Sequence, residues 1–411
     1  MISFPVADLF CGAGGTSTGA VEAIEALGYK PVLTVANHWP RAIATHEANH
    51  PDARHFCACL DSLNPRELFK PRELKLLWAS PECTMHSTGR NKALPMRDQS
   101  RTTAHCVTRW MEALLPEVVL VENVPPFKNW GPLSALGLPL KKRRGETFNA
   151  WIGMMKALGY RVDYQVLCAE NYGDPTSRER LFVQAVRGRR EIVWPNPTHG
   201  PGLLPVATAR QIIDFSIPIQ RIRDRKRPLS PKTMSRIDKG LKKFGGAVIV
   251  AMEHGGRLVS IDQPLPTVTC AKGGAFGLAY ILPQGGGGQL RSVDLPAPTV
   301  TTDGALALVI EYYGNGRAHS IDKPLPTVTC RDRFALIQRY RGDVYFRMLK
   351  PNELAGAQGF RRDYIFTGTV QEQTKQIGNA VPRRLARAIV AAAVSQNPDV
   401  SYLVNKEKSL A

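Results

Sequence analysis

Val6-Ala7-Asp8-Leu9-Phe10-Cys11-Gly12-Ala13-Gly14-Gly15 is the stretch on which the fold turns. Its first five residues read as a strand, and residues 18–27 follow with helical spacing. Between them lie three glycines, which let the backbone turn sharply and approach a ligand closely. A strand, a glycine turn and a helix are the usual opening of a doubly wound α/β sheet. Thr16, Ser17 and Thr18 follow Gly15, so the turn is not a full G-x-G-x-x-G dinucleotide signature. It also lacks the Gly-Lys-Ser/Thr ending of a phosphate-binding P-loop. It suits an adenosine-type cofactor, the alternative being a tight turn with no ligand.

Working outward, strands are expected over residues 31–36, 76–80, 118–121, 161–167 and 181–186. Helices are expected over 103–115 and over 148–158, where Gly159 provides a stop. Residues 1–190 thus form one α/β catalytic and cofactor-binding domain. Beyond them helical periodicity fades and an internal repeat appears. Ser260-Ile261-Asp262-Gln263-Pro264-Leu265-Pro266-Thr267-Val268-Thr269-Cys270 recurs from Ser292 and again from Ser320. Each copy reads as a proline-fixed turn feeding a short Thr-Val-Thr strand. Residues 191–345 are therefore expected to be an inserted, mainly β lobe. Helices over 349–358 and 383–394 mark residues 346–411 as a return to the first domain.

The chain of 411 residues carries a formal net charge of +19, which favours a polyanion partner, nucleic acid above all. Ten Lys or Arg residues between Arg221 and Lys243 face only Asp224 and Asp238. No apolar run reaches the roughly 18 residues of a membrane span, and no secretory signal precedes the first strand, so a cytoplasmic protein is expected. The eight cysteines show neither a disulfide framework nor zinc-ligand spacing, so no metal is expected. Cys106, Cys168, Cys270 and Cys330 read as buried small hydrophobes.

Cys83 differs. The apolar run Leu76-Leu77-Trp78-Ala79-Ser80 is broken by Pro81-Glu82-Cys83, and the run Val118-Val119-Leu120-Val121 delivers Glu122-Asn123-Val124. Side chains just past the carboxyl ends of such strands face the ligand crevice. A thiol and a carboxyl meeting there would pair a nucleophile with a proton donor, an arrangement suited to covalent addition to an electron-poor ring. Arg178 and Arg180, at alternate positions leading into a strand, share one face.

The order of Asp8–Gly15, Pro81/Cys83, Glu122-Asn123-Val124, Arg178-Glu179-Arg180 and Gly378-Asn379-Ala380-Val381-Pro382 resembles that of cytosine-5 DNA methyltransferases of bacterial or phage type. The resemblance implies a Rossmann-like domain that uses S-adenosylmethionine, with the repeat lobe as the target-recognition domain. It implies methyl transfer to carbon 5 of a flipped-out cytosine in double-stranded DNA. Cys83 would add at carbon 6, Glu122 would protonate or hydrogen-bond N3, Arg180 would contact O2, and Arg178 would support the site. For the cofactor, Phe10 and Trp39 would stack, Gly12, Gly14 and Gly15 would admit the amino-acid end, and Asn379 and Val381 would close the pocket. Asp61 lies near the position of the family's adenine contact. Residues 83–101 suit a closing loop in which Ser87, Gly89, Arg90, Lys92, Arg97 and Arg101 reach phosphates.

Three positions depart from the family pattern. Glu82 stands where proline usually precedes the nucleophile, near the cofactor's reactive end. His38 stands where an acidic residue usually holds the ribose hydroxyls, and Thr176 replaces the usual Gln. A cytosine-5 RNA methyltransferase and a non-catalytic DNA-binding relative are the competing readings. The resemblance is compatible with a monomer and with a cognate restriction enzyme.

Overall fold

The computed structural model describes residues 1–82, 99–226, 228–243, 250–252, 275–279, 306–312, 316–320, 322–325, 328, 334–340 and 343–408. The chain opens with strand β1 (Ser3–Leu9), helix α1 (Gly15–Ala26), β2 (Lys30–Asn37), α2 (Pro40–Asn49), β3 (Arg54–Cys57) and the single turn α3 (Pro65–Leu68). It continues through β4 (Leu76–Ala79), α4 (Gln99–Leu114), β5 (Val118–Asn123), α5 (Glu146–Ala157), β6 (Arg161–Cys168) and β7 (Glu179–Val186). Next come β8 (Gln220–Arg221), α6 (Pro231–Lys243), β9 (Val250–Met252), β10 (Ala275–Ala279), β11 (Leu306–Tyr312) and β12 (Gly316–Ser320). Then follow β13 (Phe334–Tyr340), β14 (Asp343–Met348), α7 (Pro351–Ala357), α8 (Val370–Asn379), α9 (Arg383–Ser395) and α10 (Ser401–Lys408).

Two compact units result. The first comprises Met1–Asp174, Arg178–Pro205 and Gln358–Ala411; the second comprises Pro175–Ser177 and Val206–Ala357. In the first, seven strands pair in the order β3-β2-β1-β4-β5-β7-β6, with only β7 running against its neighbours. This is the doubly wound α/β class, in which strand order reverses between β1 and β4 and opens a crevice at their carboxyl ends. Strand residues alternate between two cores. Val6, Leu76, Trp78, Val118 and Leu120 pack towards α1 and α9, whereas Ala7, Leu9, Leu77, Val119 and Val121 pack towards α4 and α5.

The α1–α9 contact is close because α1 presents Gly15, Gly19, Ala20 and Ala23 as buried residues, and nearly all of α9 is buried. Helix α9 has no side-chain cap of its own. Asp174, fully buried, supplies one from another segment by accepting the N–H groups of Leu385 at 2.9 Å and Arg384 at 3.3 Å. A carboxyl at a helix N-terminus satisfies two orphan donors. Burial pushes its pKa up to about 6 against the pull of the nearby arginines. The same helix start is held by Arg383, whose Nη1 meets Glu22 Oε2 at 2.7 Å, and whose N–H donates to the Gln358 carbonyl at 2.9 Å.

The second unit holds a seven-stranded sheet in the order β12-β9-β11-β10-β13-β14-β8. In the third repeat Leu325 forms an isolated bridge with Thr176, Val328 lies outside any strand, and β13 begins at Phe334. Thr327 and Thr329 of that repeat, and the Thr-Val-Thr segments of the first two, lie outside the described residues. In the first unit α4 starts at Gln99, so Arg101 lies in a helix rather than in a loop, and α1 starts at Gly15. Helices α2 and α8 were not anticipated.

Candidate active site

Strand β5 is buried along its whole length, a run of β-branched and aliphatic side chains that ends in Glu122 and Asn123. Asn123 fixes the neighbouring strand end. Its Nδ2 donates to the Pro81 carbonyl at 3.2 Å, and its Oδ1 accepts the Val124 N–H at 2.9 Å. The turn after β4 is therefore tied to the end of β5, immediately before Cys83. Cys83 itself, with Ser87, Gly89, Arg90, Lys92 and Arg97, lies outside the described residues. Pro81 is buried and Glu82 half-buried.

Glu122 meets Arg180 across the antiparallel pairing of β5 with β7. Arg180 Nε lies 3.0 Å from Glu122 Oε1, and both side chains are about nine-tenths buried (8% and 10% exposed). Arg178, one residue before β7, is also buried. Burial raises the pKa of the Glu122 carboxyl, and the positive charges of Arg180 and Arg178 act against that rise. The result is a carboxyl that holds its proton to higher pH than an exposed glutamate, as a proton donor to a ring nitrogen requires.

At the end of β1, Phe10 is half-buried and takes a left-handed backbone (φ 62°). That conformation is strained for a bulky residue and tends to accumulate at ligand sites. The following glycines divide into two kinds. A Cβ on Gly12 would meet nothing nearer than 3.9 Å, so its α-carbon faces free space. A Cβ on Gly14 (φ +89°) would lie 2.6 Å from the Tyr364 hydroxyl, and one on Gly15 would lie 2.4 Å from the Val381 carbonyl. Gly14 and Gly15 are thus demanded by the chain's own packing against residues 364 and 381, and Gly12 leaves room for a ligand. Val381 is buried and presents its carbonyl to α1, whereas Asn379, the last residue of α8, is exposed. A turn with one open glycine and a strained aromatic beside it fits an adenosyl amino acid, a compact group with a carboxylate and a flat ring.

Trp39 is half-buried at the start of α2, its N–H held by Asn37 Oδ1 at 2.9 Å, and His38 beside it is exposed. Lys375 Nζ lies 4.4 Å from the centre of the Trp39 ring, a cation–π contact that occupies one face of the indole. Asp61 is exposed, but its Oδ1 accepts the Cys106 thiol at 2.9 Å, and together with burial this carboxylate helps push the thiol pKa up to about 12.

Several contributors escaped the sequence reading. Lys375 and Tyr364 act by position alone, with no motif to mark them, and Asn123 lies within the quoted Glu122-Asn123-Val124 without a role assigned to it. His46 and His50 stand four residues apart, a spacing that brings side chains together where a chain is helical, and this was the signal that could have found them. Among the described residues, no group of three or more His, Cys, Asp or Glu side chains could hold a metal ion, and no helix is long and apolar enough to cross a membrane.

A Rossmann-like sheet with a buried Glu–Arg pair at one strand end and a glycine turn at another defines a methyltransferase-type α/β protein. The chain belongs to the C-5 cytosine-specific DNA methylase family, which matches residues 4–395. The type II methyltransferase M.AgeI of Thalassovita gelatinovora is 28% identical over 256 residues, covering 55% of each chain. The chain therefore spans only about half the length of that relative. M1.HphI of Haemophilus parahaemolyticus is 24% identical over 403 residues, covering 96% of this chain and 88% of its own. Among solved structures, S. pombe Dnmt2 methyltransferase aligns with a TM-score of 0.54 at 13% identity, covering 96% of this chain and 99% of its own. The Entamoeba histolytica methyltransferase EhMeth aligns at 0.52 and 14% identity, covering 99% of both. These last two likenesses concern the fold.

Proposed function

We propose that the protein transfers a methyl group from S-adenosylmethionine to carbon 5 of a cytosine flipped out of double-stranded DNA. The observation that carries this reading is the buried Glu122–Arg180 pair, set at the strand end that Asn123 ties to the turn before Cys83. Cys83 adds as a thiolate to carbon 6 while Glu122 gives a proton to, or hydrogen-bonds, N3, so that charge does not build on the ring. Arg180 holds O2 and keeps Glu122 oriented, and Arg178 supports both. When bound, S-adenosylmethionine supplies an electrophilic methyl group. Phe10 and Trp39 stack on it, Gly12 admits its amino-acid end, and Gly14 and Gly15 let the 379–381 strip close in behind. His38 and Glu82 border the cofactor, and Asp61 lies close by. Loss of the carbon 5 proton and elimination of Cys83 complete the cycle.

The net charge of +19 supports a DNA partner. Ser87, Arg90, Lys92, Arg97 and Arg101 would position the phosphate backbone, and the repeat lobe over 191–345 would read the target. The enzyme would act as a cytoplasmic monomer, with or without a cognate restriction enzyme. The test is transfer of tritiated methyl from S-adenosylmethionine to mixed-sequence duplex DNA and to tRNA, with Cys83→Ser beside the wild type. Label on DNA that is lost in the variant is expected. Equal label with both proteins, or label on tRNA alone, would overturn the assignment.

A further inference from the structure

Beneath the glycine turn lies a chain of hydrogen bonds that the transfer chemistry does not use. Asp8, at the end of β1 and 1% exposed, has Oδ2 at 2.6 Å from Ser17 Oγ. Ser17 Oγ is 2.9 Å from His46 Nε2, and His46 Nδ1 is 2.8 Å from His55 Nε2. Ser17 and His46 are fully buried, whereas His55 on β3 is half-buried, within reach of water. His46 also packs on the turn itself, since a Cβ on Gly14 would lie 3.0 Å from its Cδ2. Asp8 Oδ1 is buried and has no hydrogen-bond partner among the described residues.

A hydroxyl has one proton to give, and a neutral imidazole donates through one nitrogen and accepts through the other. An ionised Asp8 can only accept, so the three links must then all point towards the carboxyl; with Asp8 protonated on Oδ2 all three can reverse. If Asp8 is ionised, Ser17 donates to it, His46 Nε2–H donates to Ser17, and His55 Nε2–H donates to His46. If Asp8 is protonated and donates to Ser17, every bond can reverse, and His55 then carries its proton on Nδ1. The charge of the carboxyl and the tautomers of the two histidines are thereby coupled. Passing from the second state to the first moves each proton one link outward and releases one proton from His55 Nδ1 to water.

We propose that Asp8, Ser17, His46 and His55 form a proton relay through which the buried carboxyl ionises. Its charge then sets how strongly the turn prefers the cationic methyl donor over the neutral demethylated product. The second half rests on the cofactor reading above. The surroundings are compatible with this exchange. Burial raises the Asp8 pKa to about 7 and drives that of His46 well below the usual imidazole value, keeping His46 neutral. His50, lowered to about 4, stands outside the relay: Thr18 gives its hydroxyl proton to the Gly14 carbonyl at 2.7 Å and accepts from His50 Nε2 at 2.9 Å. Cys11 and Tyr364, the other titratable groups near Asp8, are raised and stay neutral, and Glu47 faces His55.

Two measurements on the full chain decide the matter. Calorimetric titration with S-adenosylmethionine and with S-adenosylhomocysteine at pH 6 and pH 8.5 reads the preference. The ratio of the two affinities is expected to rise on the order of fivefold with pH, the effect of one added charge in a partly wet site. It should stay flat in Asp8→Asn, a comparison that cancels titration of the ligands' own amino groups. Nitrogen NMR of the wild type should show His46 exchanging its Nδ1–H tautomer for Nε2–H over the same range. A constant wild-type ratio, or an unchanged His46 tautomer, would overturn the proposal. If neither ligand binds at any pH, the cofactor reading fails first, and the histidine resonances still decide whether the relay exists.

Discussion

Glu122→Gln separates chemistry from architecture at this site. The substitution keeps the side chain's shape, so Arg180 Nε, 3.0 Å from Oε1, still meets an acceptor oxygen. The bond keeps a charged donor but loses its charged acceptor, and Arg180, buried as well, is left without its counter-charge. Breaking a buried pair from one side costs up to about 3–5 kcal/mol, less what is recovered by no longer burying an anion. The size of the loss also depends on pH. Burial raises the Glu122 pKa, so the carboxyl's contribution to stability is full below its unfolded pKa and is lost as pH rises through its folded one. Glutamine does not titrate, and the comparison therefore moves in the variant's favour as pH increases. Catalysis responds on another scale. Removing a positioned general acid costs roughly 10²- to 10⁴-fold, or about 3–5 kcal/mol. Thermal unfolding and single-turnover methyl transfer, measured on the same preparation, are the paired assays. A variant whose single-turnover rate stays within about tenfold of the wild type would refute proton donation by Glu122.

Three further outcomes follow from the packing around the glycine turn and α9. Gly15→Ala pushes a methyl group to 2.4 Å from the Val381 carbonyl, so α1 and the 380–382 strip must part; overpacking of about 1–3 kcal/mol and at least about tenfold weaker S-adenosylmethionine binding are expected by calorimetry. Asp174→Ala strands the N–H groups of Arg384 and Leu385 at the buried start of α9. It should cost about 1–3 kcal/mol in chemical denaturation, and an unchanged midpoint would show that water replaces the carboxyl. Lys375→Met removes the cation from the face of Trp39; a loss of about 0.5–1 kcal/mol, or roughly two- to fivefold in cofactor affinity, is expected, and indole fluorescence should change with it.

Strands β1, β4, β5 and β7 were legible in the sequence because they are short aliphatic runs, largely buried and bounded by Gly, Pro or polar residues, whereas the half-exposed β3 was not. Helix α2 was not, since it starts at Trp39-Pro40 without a side-chain cap. Helix α8 did carry a signal: Thr369 and Glu372 form a capping box. The site divides along similar lines. Glu122, Arg178 and Arg180 were visible because each lies within a few residues of a recognisable strand end. The relay from Asp8 to His55 was not, because hydrogen-bond direction is a property of neighbours in space.

The glycine turn shows most clearly what sequence leaves open. Three glycines announce that something comes close to the backbone, but not what. At Gly14 and Gly15 the answer is residues 364 and 381, which lie more than three hundred positions along the chain. Only at Gly12 is the space free. A cofactor bound to this turn therefore rests on a surface that the C-terminal segment shapes from behind. Residues with no part in the chemistry, Tyr364, Lys375 and Val381 among them, then determine how well it binds. Substitutions there should change affinity for the methyl donor while leaving the Glu122–Arg180 pair, and the proton it handles, untouched.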